Sequence, residues 1–333
     1  MTKEHRHILA GDIGGTKTVV TLLENTGDGL KEIRESVFPS QEHGALGEIL
    51  EKFLREAKTP PIQAACFGIA GAVIDGKSNP TNLPWRLDEK DIAKTLGVPR
   101  TRLINDLEAA AYGMLHLKDD ELYELNRGRD PGRKGNVAVL AAGTGLGEAM
   151  IFWDGKRHHV IASEGGHADF APRTDEEIEL LKYLREKYDG HVSYERVLSG
   201  PGFFNVYCFL RDSGFAPEPD WMTEKLEAGD PSAVVTKAGL EDEDPLSVRT
   251  LELFSNIYGA EASNLALKCI AMGGVFIGGG IAPKILPGME AGHFMNGYRD
   301  KGRFTELVES MRVCVALNPR TPLIGAAYYA LDL

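Results

Sequence analysis

The chain has 333 residues, enough for about two domains with a sizeable core. It is 43% hydrophobic and 26% charged, as a globular protein is, and carries a net charge of −12 with no long basic cluster, which argues against nucleic acid or an anionic membrane as partners. The cysteines Cys66, Cys208, Cys269 and Cys314 stand singly, with neither zinc nor redox spacing, so free thiols in a reducing cytoplasm are expected. The charged stretch Met1 to His7 precedes an apolar run too short for a signal segment, and no stretch is long enough to span a bilayer.

The run Ile8-Leu9-Ala10 passes through Gly11-Asp12-Ile13-Gly14-Gly15-Thr16 into Val19-Val20-Thr21-Leu22-Leu23, which predicts strand, glycine turn, strand. A tip with almost no side chains lets backbone N–H groups approach an anion. Asp12 puts a carboxylate beside it, suited to a hydrated magnesium ion, and Thr16 adds a hydroxyl. The same residues also make an ordinary hairpin. A Walker A loop is excluded because Thr16, not glycine, precedes Lys17-Thr18. A helix is predicted over 45–57, a strand over 64–70, a helix over 89–96 and a strand over 102–104. This alternation predicts an α/β protein. Residues 119–136 are polar and rich in Gly and Arg, and read as a surface loop at a domain boundary.

The second part opens on the strand-like run 137–142. Thr174-Asp175-Glu176-Glu177 predicts a capping box for a helix to about residue 188. Asp244-Pro245 starts a long helix to about residue 271, whose Gly259, Ala260, Ala262 and Ser263 predict close packing on a neighbour. A strand over 274–277 runs into Gly278-Gly279-Gly280.

Three strand-terminal glycine clusters occur: Gly11 to Thr16, Gly143-Thr144-Gly145-Leu146-Gly147 and Gly278-Gly279-Gly280. Each suits a structural turn; together they fit a nucleotide gripped between two lobes better. The second is not a dinucleotide fingerprint, since Glu148 stands where the last glycine belongs. In Leu103-Ile104-Asn105-Asp106-Leu107, a strand ends in Asn-Asp and passes into an Ala-rich helix. Asp106 suits either a helix cap or a general base, and on this motif alone the cap is favoured. Glu164 and His167, separated by two glycines, suit gripping of sugar hydroxyls; a metal would need a third ligand, and none lies at useful spacing. Glu195 alone reads as an exposed carboxylate.

In order along the chain, Gly11 to Thr16, Ile104 to Gly113, Ala141 to Gly147, Val275 to Ala282 and Pro322 to Tyr329 resemble the phosphate-1, connect-1, phosphate-2, adenosine and connect-2 segments of the hexokinase/actin-like ATPase superfamily. The stretches Glu164-Gly165-Gly166-His167-Ala168-Asp169-Phe170-Ala171-Pro172 and Glu195-Arg196-Val197-Leu198-Ser199-Gly200-Pro201-Gly202 resemble the bacterial-type glucokinases. The likeness runs nearly end to end. The Cys-rich zinc segment of the repressor-related sugar kinases is missing, and no helix-turn-helix precedes the hairpin, which argues against a zinc-containing kinase or a DNA-binding repressor.

The resemblance implies a two-domain actin-like ATPase (ribonuclease H-like) α/β fold with the active site in the interdomain cleft. It implies a small domain of residues 1–113 with 318–333, and a large domain of residues 114–317. It implies ATP-dependent phosphorylation of the 6-hydroxyl of glucose in the cytoplasm, with ATP and Mg2+ as cofactors and a homodimer as the assembly. By resemblance Asp106 is the base, and Asn82, Asn105, Asp106, Glu164, His167 and Glu195 hold the sugar. Gly11, Asp12, Ile13, Gly14, Gly15, Thr16, Gly143, Thr144, Gly145, Gly279 and Gly280 hold the nucleotide, and Asp12 positions the metal. The connect segments, rich in Ala and Gly, are expected to pack and shear at the hinge. Rival readings are a kinase for another hexose or an amino sugar, and a catalytically silent sugar sensor.

Overall fold

A computed structural model describes residues 6–27, 29–80, 82–161 and 163–333. Met1 to His5, part of the charged N-terminal stretch, and Thr81 lie outside the described residues. The chain divides into two units, residues 1–118 with 318–333, and residues 119–317.

In the first unit, β1 (Arg6–Ile13) pairs antiparallel with β2 (Lys17–Asn25), which pairs with β3 (Leu30–Pro39). Gly11 and Asp12 therefore belong to the strand, and only Gly14, Gly15 and Thr16 form the tip. After α1 (Leu46–Glu56), β4 (Ile62–Ile69) joins β1 in parallel on its other side. A two-stranded ribbon, β5 (Lys77–Ser78) with β6 (Leu87–Asp88), leads to α2 (Glu89–Leu96). Then β7 (Thr101–Asn105) lies parallel to β4 and runs straight into α3 (Asp106–Met114). The sheet order is β3-β2-β1-β4-β7. α1 buries Leu46, Ile49, Leu50 and Phe53, the i, i+3, i+4, i+7 stripe of an amphipathic helix, against Leu9, Ile13 and Phe67 of the sheet.

The second unit repeats this plan. In sequence it holds β8 (Leu122–Asn126), β9 (Val137–Ala142), β10 (Leu146–Trp153), β11 (His158–Ile161), α4 (Asp175–Lys187), α5 (Gly200–Asp212), α6 (Asp220–Ala228), α7 (Pro231–Leu240), α8 (Pro245–Cys269), β12 (Gly274–Gly278), α9 (Leu286–Glu290), α10 (His293–Arg299), α11 (Thr305–Glu309) and β13 (Val313–Ala316). Its sheet order is β11-β10-β9-β12-β13-β8. As in the first unit, three antiparallel strands are followed by two parallel ones, here β12 and β13; β8 adds an antiparallel edge.

The expected loop at 119–136 is corrected in part by that edge: residues 122–126 are a strand, while 127–136 hold no helix or strand. Tyr123 and Leu125 of β8 pack on the core, and the strand pairs with β13. Glu124 is exposed, as an edge strand tolerates, and Asn126 donates to the Met311 carbonyl at 2.6 Å; the polar stretch around so short a strand hid it in the composition. The capping box is half formed. Thr174 accepts from the Glu177 amide, but the Glu177 carboxylate bonds the Arg173 amide at 2.7 Å and its guanidinium at 2.6 Å instead of reaching back to Thr174. α8 is capped by Asp244, which accepts from the Ser247 amide at 2.8 Å. Its small residues do pack closely: a Cβ on Gly259 would lie 1.9 Å from the Phe294 carbonyl of α10.

α12 (Thr321–Asp332) returns the chain to the first unit. Leu323, Ala326, Ala327 and Ala330 pack on Ile8, Ala10, Ala64, Cys66 and Ile104, the face of the sheet opposite α1. α12 also crosses α3 at Gly113 and Gly325, so the connect-1 and connect-2 helices are direct packing partners. Residues 114–118, placed in the second domain from sequence, complete the end of α3 in the first unit.

Candidate active site

In the first unit the glycines of the hairpin have separate reasons to be glycine. A Cβ on Gly11 would strike the Phe67 ring at 2.4 Å, so Gly11 serves packing of β1 on β4. The Ile13 side chain is buried in the core, so only its backbone stands at the tip. Gly14 closes the turn, its N–H donating to the Lys17 carbonyl at 3.0 Å. Gly15 lies under Asn82, whose Cβ leaves 3.0 Å to a Cβ placed there. Thr16 is exposed.

Sequence reading missed Ser40, which braces this tip. Its hydroxyl lies 2.7 Å from the Gly14 carbonyl and 2.9 Å from the Thr18 hydroxyl, and its N–H donates to the Thr16 carbonyl at 2.9 Å. A lone serine after a proline carries no motif, so only its position at the end of β3 reveals it.

Asp12 pairs in register with Gly68 of β4. Gly68 has no side chain, and a Cβ there would lie 3.0 Å from the Ala109 Cβ and 4.0 Å from the Asp106 Cα. α3 therefore starts close above the strand, and Asp106 comes near Asp12. Burial first, and then the Asp106 charge, hold the Asp12 carboxyl above the usual carboxylate range, with Lys17 pulling it back.

The helix cap is Asn105, not Asp106. Its Oδ1 accepts from the Leu107 amide at 2.9 Å, while its Nδ2 donates to the Gly71 carbonyl at 3.0 Å. Asp106 is the first helical residue, half-buried, with Oδ1 accepting from the Leu107 amide at 2.9 Å.

In the second unit, β9 turns into β10 through Gly143-Thr144-Gly145, closed by the Gly143 N–H donating to the Gly145 carbonyl at 2.8 Å. The Gly143 carbonyl accepts from the Gly200 amide at 2.8 Å, which ties the turn to the N-terminus of α5, a natural anion site. Glu195 is not an exposed helix carboxylate. It is half-buried, its Oε2 accepts from the Leu146 amide at 3.0 Å, and a Cβ on Gly145 would meet that oxygen at 2.5 Å. Its Oε1 lies 4.0 Å from Nδ1 of His167. Glu164 and His167 are exposed at the two ends of a 3-10 turn, Gly165–His167 with Glu164 as its cap, and the His167 N–H donates to the Glu164 carbonyl at 3.0 Å.

A cavity of about 900 Å³ adjoins the Gly143 to Gly145 turn, lined by Gly143, Thr144, Gly200, Phe204, Ser232, Gly280, Ile281 and Lys284 among others. Its volume suits a nucleotide-sized ligand. Gly280 lines it with open space at its Cα, whereas Gly279 does not. Gly279 has φ +79°, and a Cβ there would lie 2.2 Å from the Ala142 carbonyl, so its glycine is structural. Sequence reading missed Phe204, Ser232 and Lys284. Ser232 follows the Asp230-Pro231 cap of α7, and its hydroxyl donates to the Gly200 carbonyl at 2.5 Å.

The glucokinase family model matches residues 9–333. The chain is 44% identical to a glucokinase of Nostoc punctiforme, with 98% of this chain and 99% of that one covered. It superposes on the crystal structure of a glucokinase from an Antarctic psychrotroph with a TM-score of 0.88 at 28% identity, covering 98% and 99%. A ROK family glucokinase from Streptomyces griseus, solved with glucose and AMPPNP, shares the fold at a TM-score of 0.61 and 19% identity, covering 98% and 100%. The fold is the actin-like ATPase fold, and the chain belongs to the glucokinase family.

Proposed function

We propose that the chain transfers the γ-phosphoryl group of ATP to the 6-hydroxyl of D-glucose, forming glucose 6-phosphate and ADP. One observation carries this reading beyond family membership: the Glu195 carboxylate bonds the Leu146 amide beside the glycine turn and lies 4.0 Å from His167. It joins groups suited to sugar hydroxyls to a phosphate-binding turn beside a nucleotide-sized cavity. Glu164, His167, Glu195 and Asn82 hold the sugar. Asn105 adds its amide, held in place by its bonds to the Leu107 amide and the Gly71 carbonyl.

Phosphoryl transfer needs alignment and charge neutralisation more than covalent help. Asp106 accepts the 6-hydroxyl proton as that oxygen bonds the γ-phosphorus, and the bond to the bridging oxygen breaks to release ADP. The Gly14 to Thr16 tip and the Gly143 to Gly145 turn hold phosphates, with the nucleoside in the cavity. A partly buried carboxylate opposed by a second negative group fits a magnesium ion, which would neutralise phosphate charge when bound. Asp12 would hold it. Free thiols at Cys66, Cys208, Cys269 and Cys314 suit the reducing cytoplasm in which we place this activity. We also propose a homodimer, which sedimentation tests.

An ADP-release assay crossing ATP, ADP and polyphosphate with glucose, mannose, fructose and glucosamine tests the reading. ATP with glucose is expected to give the highest kcat/KM. Sugar binding without ADP formation overturns it in favour of a sensor, and a higher value for another sugar reassigns the substrate. Ser40→Ala is expected to lower stability by about 1 kcal/mol. It should also raise KM for ATP with KM for glucose unchanged, because the Gly14 carbonyl loses its hydroxyl. Unchanged values of both in melting and kinetic measurements would remove Ser40 from the tip's support.

A further inference from the structure

β10 lies directly beneath the residues proposed to hold the sugar. Gly166 sits on Leu146, whose carbonyl would be 2.0 Å from a Cβ there; Gly165 sits on Glu148, whose Oε2 would be 2.5 Å from one. Leu146 and Glu148 are two apart on a strand and so share a face. Glu148 is 1% exposed, and Glu261 of α8 is 0% exposed. The Oε1 atoms of both lack a hydrogen-bond partner among the described residues. Glu261 reaches the second part of the site through Asn264, whose Nδ2 donates to Glu261 Oε2 at 2.8 Å and to the hydroxyl of Tyr194, one residue before Glu195, at 3.1 Å.

We propose that Glu148 is a positioning residue for glucose phosphorylation: it and Glu261 do not both ionise in the fold, and these two buried carboxyls hold Gly165 and Tyr194, the neighbours of Glu164 and Glu195, in place. The proposal rests on the reading of Glu164, His167 and Glu195 as the sugar's partners. Two carboxylates this deep cannot both carry charge without a large desolvation and repulsion cost. The cations near them do not cancel both charges. Lys268 Nζ lies 3.7 Å from Glu261 Oε1, and Lys301 acts on Glu261 from beyond α10. Tyr258 also faces Glu148, and Ser163 flanks the Gly165 contact. A proton needs no space of its own. Among the described residues no further Asp, Glu, His or Cys joins the pair as a three-ligand cation site.

Burial, with the Glu261 charge, pushes Glu148 up to about 7 from its ordinary 4.5, Lys268 opposing; burial also raises Glu261. A raised carboxyl stabilises the fold below its unfolded-state value, and that contribution is lost as pH rises toward the folded-state value. The thermal midpoint of the wild type is therefore expected to fall between about pH 5 and pH 8. KM for glucose should rise about tenfold between about pH 6 and pH 9, as the second charge pushes the loop's supports apart, with KM for ATP flat.

Glu148→Gln, neutral at every pH, is expected to flatten both profiles while keeping the low-pH kcat and KM. Glu261→Gln reads the same pair if Glu148→Gln does not fold. Both glutamine variants tracking the wild type in melting and in glucose KM would overturn the proposal while leaving the glucokinase reading intact. A wild type that fails to phosphorylate glucose at any pH would overturn both.

Discussion

Asp106→Asn is expected to lower kcat for glucose phosphorylation by about 10²–10⁴-fold, the usual loss for a positioned acid–base group. Asparagine keeps the size of the side chain and an oxygen for the Leu107 amide, which Asp106 now meets at 2.9 Å. It loses the ability to take the hydroxyl proton. Glucose should still bind, because Glu164, His167 and Glu195 belong to the other unit. ADP release measures the first effect and titration calorimetry the second; near-normal turnover would remove Asp106 from the role. A second readout separates lost chemistry from lost structure. The Asp106 charge helps to raise Asp12, so removing it should return Asp12 toward the usual carboxylate range. The variant should then need no more Mg2+ than the wild type, whereas a collapsed site would need more.

Gly325→Ala is expected to have the largest effect on stability, about 3 kcal/mol or more, and to lower the melting midpoint of the first unit by about 10 °C. The added Cβ would lie 1.7 Å from the Ala109 carbonyl oxygen and 2.7 Å from the Gly113 amide nitrogen. Both obstacles are backbone of α3, which cannot rotate aside as a side chain would. Gly113→Ala meets the Thr321 carbonyl at 2.0 Å and should behave alike. Gly132→Ala is the control: nothing lies within 4 Å of its Cβ position, and it should change stability by less than about 0.5 kcal/mol. Equal melting of Gly325→Ala and Gly132→Ala would mean that the helix crossing is looser than described. α8 and α10 repeat the device, where a Cβ on Gly297 would lie 1.9 Å from the Asn256 carbonyl.

The elements written in hydrophobic period were legible from sequence. The stripe of α1 and the Asp244-Pro245 start of α8 each depend on residues within a few positions of one another, and local physics decides them. β8 was missed because an edge strand shows its partner only half a pattern; its remaining support is β13, almost two hundred residues away in the chain. The same distinction runs through the candidate site. Glycine clusters at strand ends suit phosphate because a bare backbone can itself be the ligand. They do not say which glycine touches it: Gly11 answers to Phe67, and Gly279 to the Ala142 carbonyl.

The sequence by itself determined the α/β class, the order of the signature segments and the chemical types available for sugar and phosphate. Those follow from short-range patterns and from what a carboxylate, an imidazole or a bare backbone can bind. Only the tertiary structure decided that Asn105 caps α3 with Asp106 as its first residue, that Ser40 braces the hairpin tip, and that Glu195 joins the glycine turn to His167. It also decided that Glu148 and Glu261, more than a hundred positions apart, are buried within reach of each other's charge. Each of these depends on contacts between strands and helices distant in the chain, and residue type carries no record of which distant partner burial will select.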